Sequence, residues 1–232
     1  MSLILLIDTA TERAMVSIAK DDVIIQEVYN ESFKDHAPFL QVAVQCLFSE
    51  NGLTLNEIDA VAITAGPGSY TGLRVGMSSA KGFCYALRVP LITLNTLETL
   101  ALSAIYRNKD QSENSAALYC PMIDARRMEV YTAIYNIDME MILAPFNPIL
   151  SAHSFEEELR EKKIIFFGNG AKKWEHISIN PNADFQDISI VPQSMALLAE
   201  THISQKIYTD LAQSSPNYLK EPYIIHEKYK KS

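Results

Sequence analysis

The sequence predicts an α/β protein made of two similar halves, each a mixed β-sheet with helices on its faces, in the order βββαβαβα. Three observations carry this. Three short runs of aliphatic and β-branched residues open the chain, with hairpin-sized connections between them. Helical stretches then alternate with short apolar strands. After a polar break the same order of elements returns, although the two halves share no evident sequence identity.

In the first half, strands are predicted at Leu3–Thr9, Ala14–Lys20 and Val23–Tyr29, the last two joined by an Asp21-Asp22 turn. A helix at Ala37–Glu50 follows, then a strand at Ala60–Ala65 and a glycine-rich helix at about Thr71–Leu87. A strand at Leu91–Leu94 and a helix to about Tyr106 complete the half. "RNKDQSENSA", Arg107–Ala116, is polar and aperiodic and reads as an exposed linker. The second half has strands at Leu118–Asp124, Val130–Tyr135 and Met141–Ile149. A helix at Phe155–Lys162 follows, with Ser154 as N-cap and Glu157 completing a capping box. Then come a strand at Ile164–Phe167, a Gly-Asn-Gly turn, a short helix, a strand at Ile188–Val191, and a helix at Met195–Ile207 capped by Ser194. The predicted domains are 1–106 and 107–232, with a cleft between them.

The 232 residues carry a net charge of -8, which argues against this chain gripping nucleic acid by itself. The one basic cluster, "HEKYKKS" from His226, reads as a solvated end. Cys46, Cys84 and Cys120 form neither a disulfide framework nor a zinc pattern, which suits a reducing compartment. The opening "MSLILLIDTATERA" lacks a charged leader region and is cut by Asp8, so it reads as a strand. No apolar run reaches transmembrane length, and the expectation is a cytoplasmic protein with no membrane contact.

Asp8 and Asp124 each end the first strand of a half. Facing each other across a cleft, two such carboxylates would suit a nucleotide-bound Mg²⁺; each could equally do no more than cap a turn. The loop after Asp8, "TATER", has no glycine, and a backbone cradle for phosphate usually needs one. "FGNGA", with Gly168 and Gly170, places a turn between a strand and a helix, where an anion or purine could sit, or where the chain merely turns. Asp8, Asp124, Gly168 and Gly170 are therefore the candidates for a vestigial nucleotide cleft. No two histidines have the spacing of a helical metal pair, no nucleophile elbow occurs, and no catalytic residue or metal ligand is nominated.

"TAGPGSYTGLRVGMSSAKGF", Thr64–Phe83, holds Gly66, Gly68, Gly72, Gly76 and Gly82 out of eight glycines in the chain. It is neither a Walker loop nor GxGxxG. Gly72, Gly76 and Ala80 line one helical face, and glycine within a helix costs about 1 kcal/mol, so a close helix contact is the favoured reason. The loop Gly66–Ser69 stays open between packing and phosphate binding. The helix Ala37–Glu50 is apolar on more than one side, which implies either complete burial or a partner.

"LLIDTAT", "AGPGSYTGLRVGMSSAKGF", "IDARRMEVY" at Ile123–Tyr131 and "FGNGA" together resemble the TsaB (YeaZ) family. The resemblance implies a duplicated actin-like, ribonuclease-H-like fold of the ASKHA superfamily. It implies a part in making threonylcarbamoyladenosine in tRNA, as a non-catalytic relative of TsaD. TsaD transfers the threonylcarbamoyl group from an adenylate made by TsaC. The implied partners are a TsaD-like protein in a heterodimer, a TsaE-like ATPase, and a second copy of the chain when TsaD is absent. Contact with tRNA would come only indirectly, and ATP with Mg²⁺ only at a site shared with partners. TsaD carries Asn-His-x-x-x-His after its own glycine helix; here "LNTLETL" keeps Asn95 but has Thr96 and Leu100 in place of the histidines, and neither is a substitute ligand.

The family's pairing surface is the glycine helix and the helix before it. Helical phase nominates Phe39, Ala43, Gly72, Val75, Gly76, Ser79 and Phe83, and the expectation is that Gly76→Leu abolishes pairing while the fold survives. The competing readings are a stand-alone ATP/Mg²⁺-dependent phosphotransferase using Asp8 and Asp124, and a metalloprotease-like hydrolase for which the sequence offers no ligands.

Overall fold

The computed structural model describes residues 2–30, 36–109 and 116–220. The basic tail and most of the predicted linker, 110–115, lie outside them. The first half forms strands β1 (Leu3–Asp8), β2 (Ala14–Lys20), β3 (Val23–Asn30), β4 (Ala60–Thr64) and β5 (Leu91–Leu94), with helices α1 (His36–Glu50), α2 (Tyr70–Leu87) and α3 (Thr96–Asn108). The second forms β6 (Leu118–Asp124), β7 (Val130–Tyr135), β8 (Met141–Phe146), β9 (Ile164–Phe167) and β10 (Ala183–Gln186), with α4 (Ala171–Glu175) and α5 (Pro192–Gln205).

The two sheets have the same plan. Their orders are β3-β2-β1-β4-β5 and β10-β9-β6-β7-β8. In each, the first three strands form an antiparallel meander, and the next two add in parallel beside the first. This is the duplicated actin-like α/β fold. β1 and β4 are buried along their whole length, as strands covered on both faces must be.

Each half lends the other its last helix. α3 packs on β6 and β7 of the second sheet, while α5 packs on β1, β3 and β5 of the first. One apolar cluster therefore joins Leu6, Met15 and Ile92 to Tyr119, Tyr135 and Met195. The Ser103 and Ser194 hydroxyls, 2.6 Å apart, tie the two helices at its centre. Outside the first sheet lie α1 and α2; outside the second lie α4 and the turns of 152–161 around buried Trp174.

Five expectations are corrected. The predicted helix Phe155–Lys162 is a run of turns, because Phe155 takes φ 61° to send its ring against both Phe166 and Trp174. Ser154 Oγ accepts from Ser151 N at 2.9 Å instead of forming a capping box with Glu157. The last strand is Ala183–Gln186, not Ile188–Val191; Ile188 and Ile190 are buried between the sheets without joining a ladder. Val191 caps α5, and Ser194 sits inside its first turn with Oγ bonded to Val191 O. Helix α3 also runs through Asn108 into the predicted linker, since the Asn108 amide reaches Gln186 Oε1 at 2.9 Å.

Candidate functional site

Helix α2 begins at Ser69, whose Oγ accepts from Gly72 N at 3.2 Å. Its inner face carries Gly72, Leu73, Gly76, Met77, Ala80 and Cys84, all buried. A Cβ on Gly72 would stand 2.2 Å from the Thr9 carbonyl oxygen. One on Gly76 would stand 2.1 Å from Thr9 Oγ1 and 2.9 Å from Ile63 Cδ1. The two glycines thus let α2 lie directly on the end of β1. Ala43 of α1 is buried in the same layer.

This corrects the nominated pairing surface. Ala43, Gly72 and Gly76 face their own chain and are closed to a partner. Phe39, Val75, Ser79 and Phe83 are half-buried, and the two phenylalanines and the valine lean on the core beneath α1 and α2. The exposed ridge of α2 lies about a third of a turn away and carries Ser78, Gly82 and Ala86. Among the described residues, beyond its chain neighbours and its own turn of helix backbone, no heavy atom stands within 4 Å of a Cβ built on Gly82. Together with Gln41, Leu55 and Phe83, these residues line an open groove of about 510 Å³. Val42 is 59% exposed and Tyr85 80% exposed on the same two helices. Sequence reasoning missed Ser78, Gly82 and Ala86 because they share the small-residue, four-apart spacing of the buried stripe.

The second feature is a cavity of about 240 Å³ between the halves, lined by Asp8, Glu12, Arg13, Tyr29, Thr96, Leu100, Gly168 and Asn169, with Met15, Ile188 and Ile190 among its apolar walls. Asp8 Oδ1 accepts from Thr64 Oγ1 at 2.6 Å and from Ala10 N at 3.0 Å. Burial pushes the Asp8 carboxyl above its ordinary value, and these two hydrogen bonds only partly oppose it. The Arg13 guanidinium lies 3.8 Å over the Tyr29 ring. Asn169, which sequence reasoning passed over between its two glycines, joins the halves: its Nδ2 donates to Glu12 Oε2 at 2.7 Å, and its Oδ1 accepts from Asp124 N at 2.9 Å.

Of the four nominated cleft residues, Asp8 and Gly168 line the cavity. Asp124 does not; it is half-buried and paired with Lys173. Gly170 turns inward, where a Cβ would meet Val130 Cγ1 at 2.9 Å. These residues do not fit a magnesium nucleotide. One carboxylate is neutralised by a lysine, the other is held in hydrogen bonds under burial, and the cavity is below the roughly 300 Å³ at which ligand pockets begin. Helix α4 spans only Ala171–Glu175, and the Gly170 and Ala171 N–H groups are spent on Met122 O and Gly168 O. The loop Gly66–Ser69 is spent in the same way: Gly66 N donates to Thr96 Oγ1 at 3.1 Å and Ser69 N to Ala10 O at 2.7 Å. Packing, not phosphate, accounts for that loop.

Asp8 offers a test of the cavity's electrostatics. Its native carboxyl holds a proton more tightly than in the unfolded chain, so stability falls as pH rises from about 3.9 through the raised native value. The loss continues until the pH has passed the raised native value. Asp8→Asn keeps an acceptor oxygen and removes the charge. It is expected to melt about 3 °C higher at pH 7, with the gain gone near pH 4. A variant that melts lower at pH 7, or one whose gain ignores pH, contradicts this account.

A family model described as "TsaD: tRNA N6-adenosine threonylcarbamoyltransferase" matches residues 24–230. The tRNA threonylcarbamoyladenosine biosynthesis protein TsaB of Bacillus subtilis (strain 168) is 30% identical over 171 residues, covering 72% of this chain and 70% of that one. The protein of the same name from Escherichia coli (strain K12) is 35% identical over 135 residues, covering 58% and 55%. The solved structure of YeaZ from Pseudomonas aeruginosa superposes with TM-score 0.76 at 25% identity, over 94% of this chain and all of that one. With the same sheet order repeated, this glycine helix, and relatives of that name along most of its length, the chain belongs to the TsaB (YeaZ) family.

Proposed function

We propose that the chain is a non-catalytic scaffold and activator subunit in the formation of threonylcarbamoyladenosine in tRNA. It pairs with a TsaD-like transferase through the outer faces of α1 and α2, and a TsaE-like ATPase joins the pair. Alone, it pairs with a second copy of itself. Gly82 carries this reading. A glycine in mid-helix costs about 1 kcal/mol, and among the described residues beyond its own stretch of helix nothing lies within 4 Å of the Cβ position to repay it; a partner helix crossing closely over Ser78, Gly82 and Ala86 would.

The role of a helper rather than a catalyst is supported by Thr96 and Leu100. Both line the cavity where the resemblance places a histidine pair in the transferase, and neither is a metal ligand. ATP and Mg²⁺ enter this reading only at a site shared with partner proteins. None of the described helices is long and apolar enough to cross a membrane, and the proposed location is the cytoplasm, where tRNA is modified.

Reconstitution tests the proposal. Purified TsaC-, TsaD- and TsaE-like proteins of the same organism are expected to modify tRNA only when this chain is added, and the chain is expected to co-migrate with the TsaD-like protein. Equal product without it overturns the assignment.

A further inference from the structure

The cavity between the halves does not fit a magnesium nucleotide, but its size and walls suit a smaller molecule. At about 240 Å³ it is too small for a drug-sized ligand, yet larger than the roughly 150 Å³ that holds benzene. Met15 and Leu100 of the first half and Ile188 and Ile190 of the second give it apolar walls. Two buried polar side chains line it with them: Asp8 is 4% exposed and Thr96 fully buried. Asp8 Oδ1 takes the bonds from Thr64 Oγ1 and Ala10 N; among the described residues no hydrogen bond reaches Oδ2. Thr96 Oγ1 accepts from Gly66 N and keeps a second lone pair. Among the described residues no ion pair reaches Asp8 either; His36 of α1 favours its charged form only through space. Arg13, the cation of the lining, lies over the Tyr29 ring, and Glu12 adds a second carboxylate at the exposed rim.

We propose that this cavity binds a small organic monocation, a primary ammonium on a short apolar body. The body replaces water along Met15, Leu100, Ile188 and Ile190, while the ammonium donates to Asp8 Oδ2 and Thr96 Oγ1. A carboxylate buried without a paired cation is costly, and burial does push the Asp8 carboxyl up. An ammonium against Oδ2 supplies the missing charge and the missing hydrogen bond together. A phosphate or carboxylate ligand would instead meet Asp8 and Glu12 as like charges. A metal ion is served no better: the described residues hold no group of three His, Cys, Asp or Glu side chains, and half of the wall offers no oxygen. The site lies within one chain, so the proposal does not depend on the pairing proposed above.

The test is calorimetric titration of the full chain with 2-phenylethylammonium, beside 2-phenylethanol and 3-phenylpropionate as neutral and anionic counterparts of similar shape. The ammonium is expected to bind at least about tenfold more tightly than the alcohol, and the propionate not at all. Asp8→Asn, expected to fold and to melt higher, should lose at least about tenfold for the ammonium and less than about twofold for the alcohol. Affinity for the ammonium should rise between about pH 5 and 8, by up to about tenfold per unit, as the free Asp8 carboxyl gives up its proton. That rise should vanish in Asp8→Asn and persist in His36→Gln and Glu12→Gln, which remove the other titratable groups nearest Asp8. The proposal is overturned if the alcohol or the propionate binds as well as the ammonium, or if Asp8→Asn binds it as the parent does. It is also overturned if the ammonium at about 10 mM neither binds nor raises the melting temperature. Gly82→Leu, aimed at pairing, is expected to bind the ammonium unchanged, so the two proposals fail separately.

Discussion

Gly76→Leu is expected to destabilise the protein by about 3 kcal/mol or more, and to do so before any question of pairing arises. Even the first added carbon would lie 2.1 Å from Thr9 Oγ1 and 2.9 Å from Ile63 Cδ1, and both residues are fully buried. Replacing glycine in a helix returns about 1 kcal/mol of propensity, which is too little to offset lifting α2 from β1 and β4. Thr9 Oγ1 is buried without a hydrogen-bond partner among the described residues, so a shift there gains no bond in return. Thermal unfolding by circular dichroism checks this. A variant that melts like the parent shows that α2 does not bear on β1 as described.

Gly82→Leu is expected to do the reverse. Its fold should hold and its melting temperature rise slightly, since Gly82 is exposed and leucine is a strong helix former. If the proposed pairing is right, it should weaken at least about a hundredfold, roughly 2.7 kcal/mol, because an isobutyl group would force apart helices that crossed closely at Gly82. Gly82→Ala should give a smaller loss with the same stable fold. Light scattering of the chain alone, and co-migration with the TsaD-like partner, read the effect. An unchanged complex would remove the ridge of Ser78, Gly82 and Ala86 from the interface. The contrast between the two leucine variants separates a glycine that serves its own fold from one that serves a neighbour.

Much of the fold is visible in the sequence. Strands β1, β2, β4, β5, β6, β7 and β9 and helices α1, α2 and α3 lie within a residue or two of their predicted bounds. Each is a strongly patterned segment bounded by turn residues, so local periodicity carries it. Phe155 and Ile188 show where local pattern fails. Phe155 begins a stretch with helical composition, but its ring is drawn into an aromatic cluster at the cost of a positive φ. Ile188 and Ile190 read as a strand, yet they are buried between sheets, and apolar alternation does not distinguish a ladder from a core contact.

The site divides along the same line. By itself the sequence determined the duplicated order of elements, the glycine-rich helix, the missing histidine pair at Thr96 and Leu100, and the resemblance that follows from these motifs. Which way each glycine faces was decided only by the tertiary structure. Gly72, Gly76 and Gly82 are the same residue type in one helix, and their difference is whether Thr9 and Ile63 or open space lies opposite. Asp124 met Lys173 rather than Asp8 for the same kind of reason. Local spacing fixes a residue's place on its own helix or strand; what stands across from it depends on contacts between segments far apart in the chain, and these form only when the sheets and helices pack.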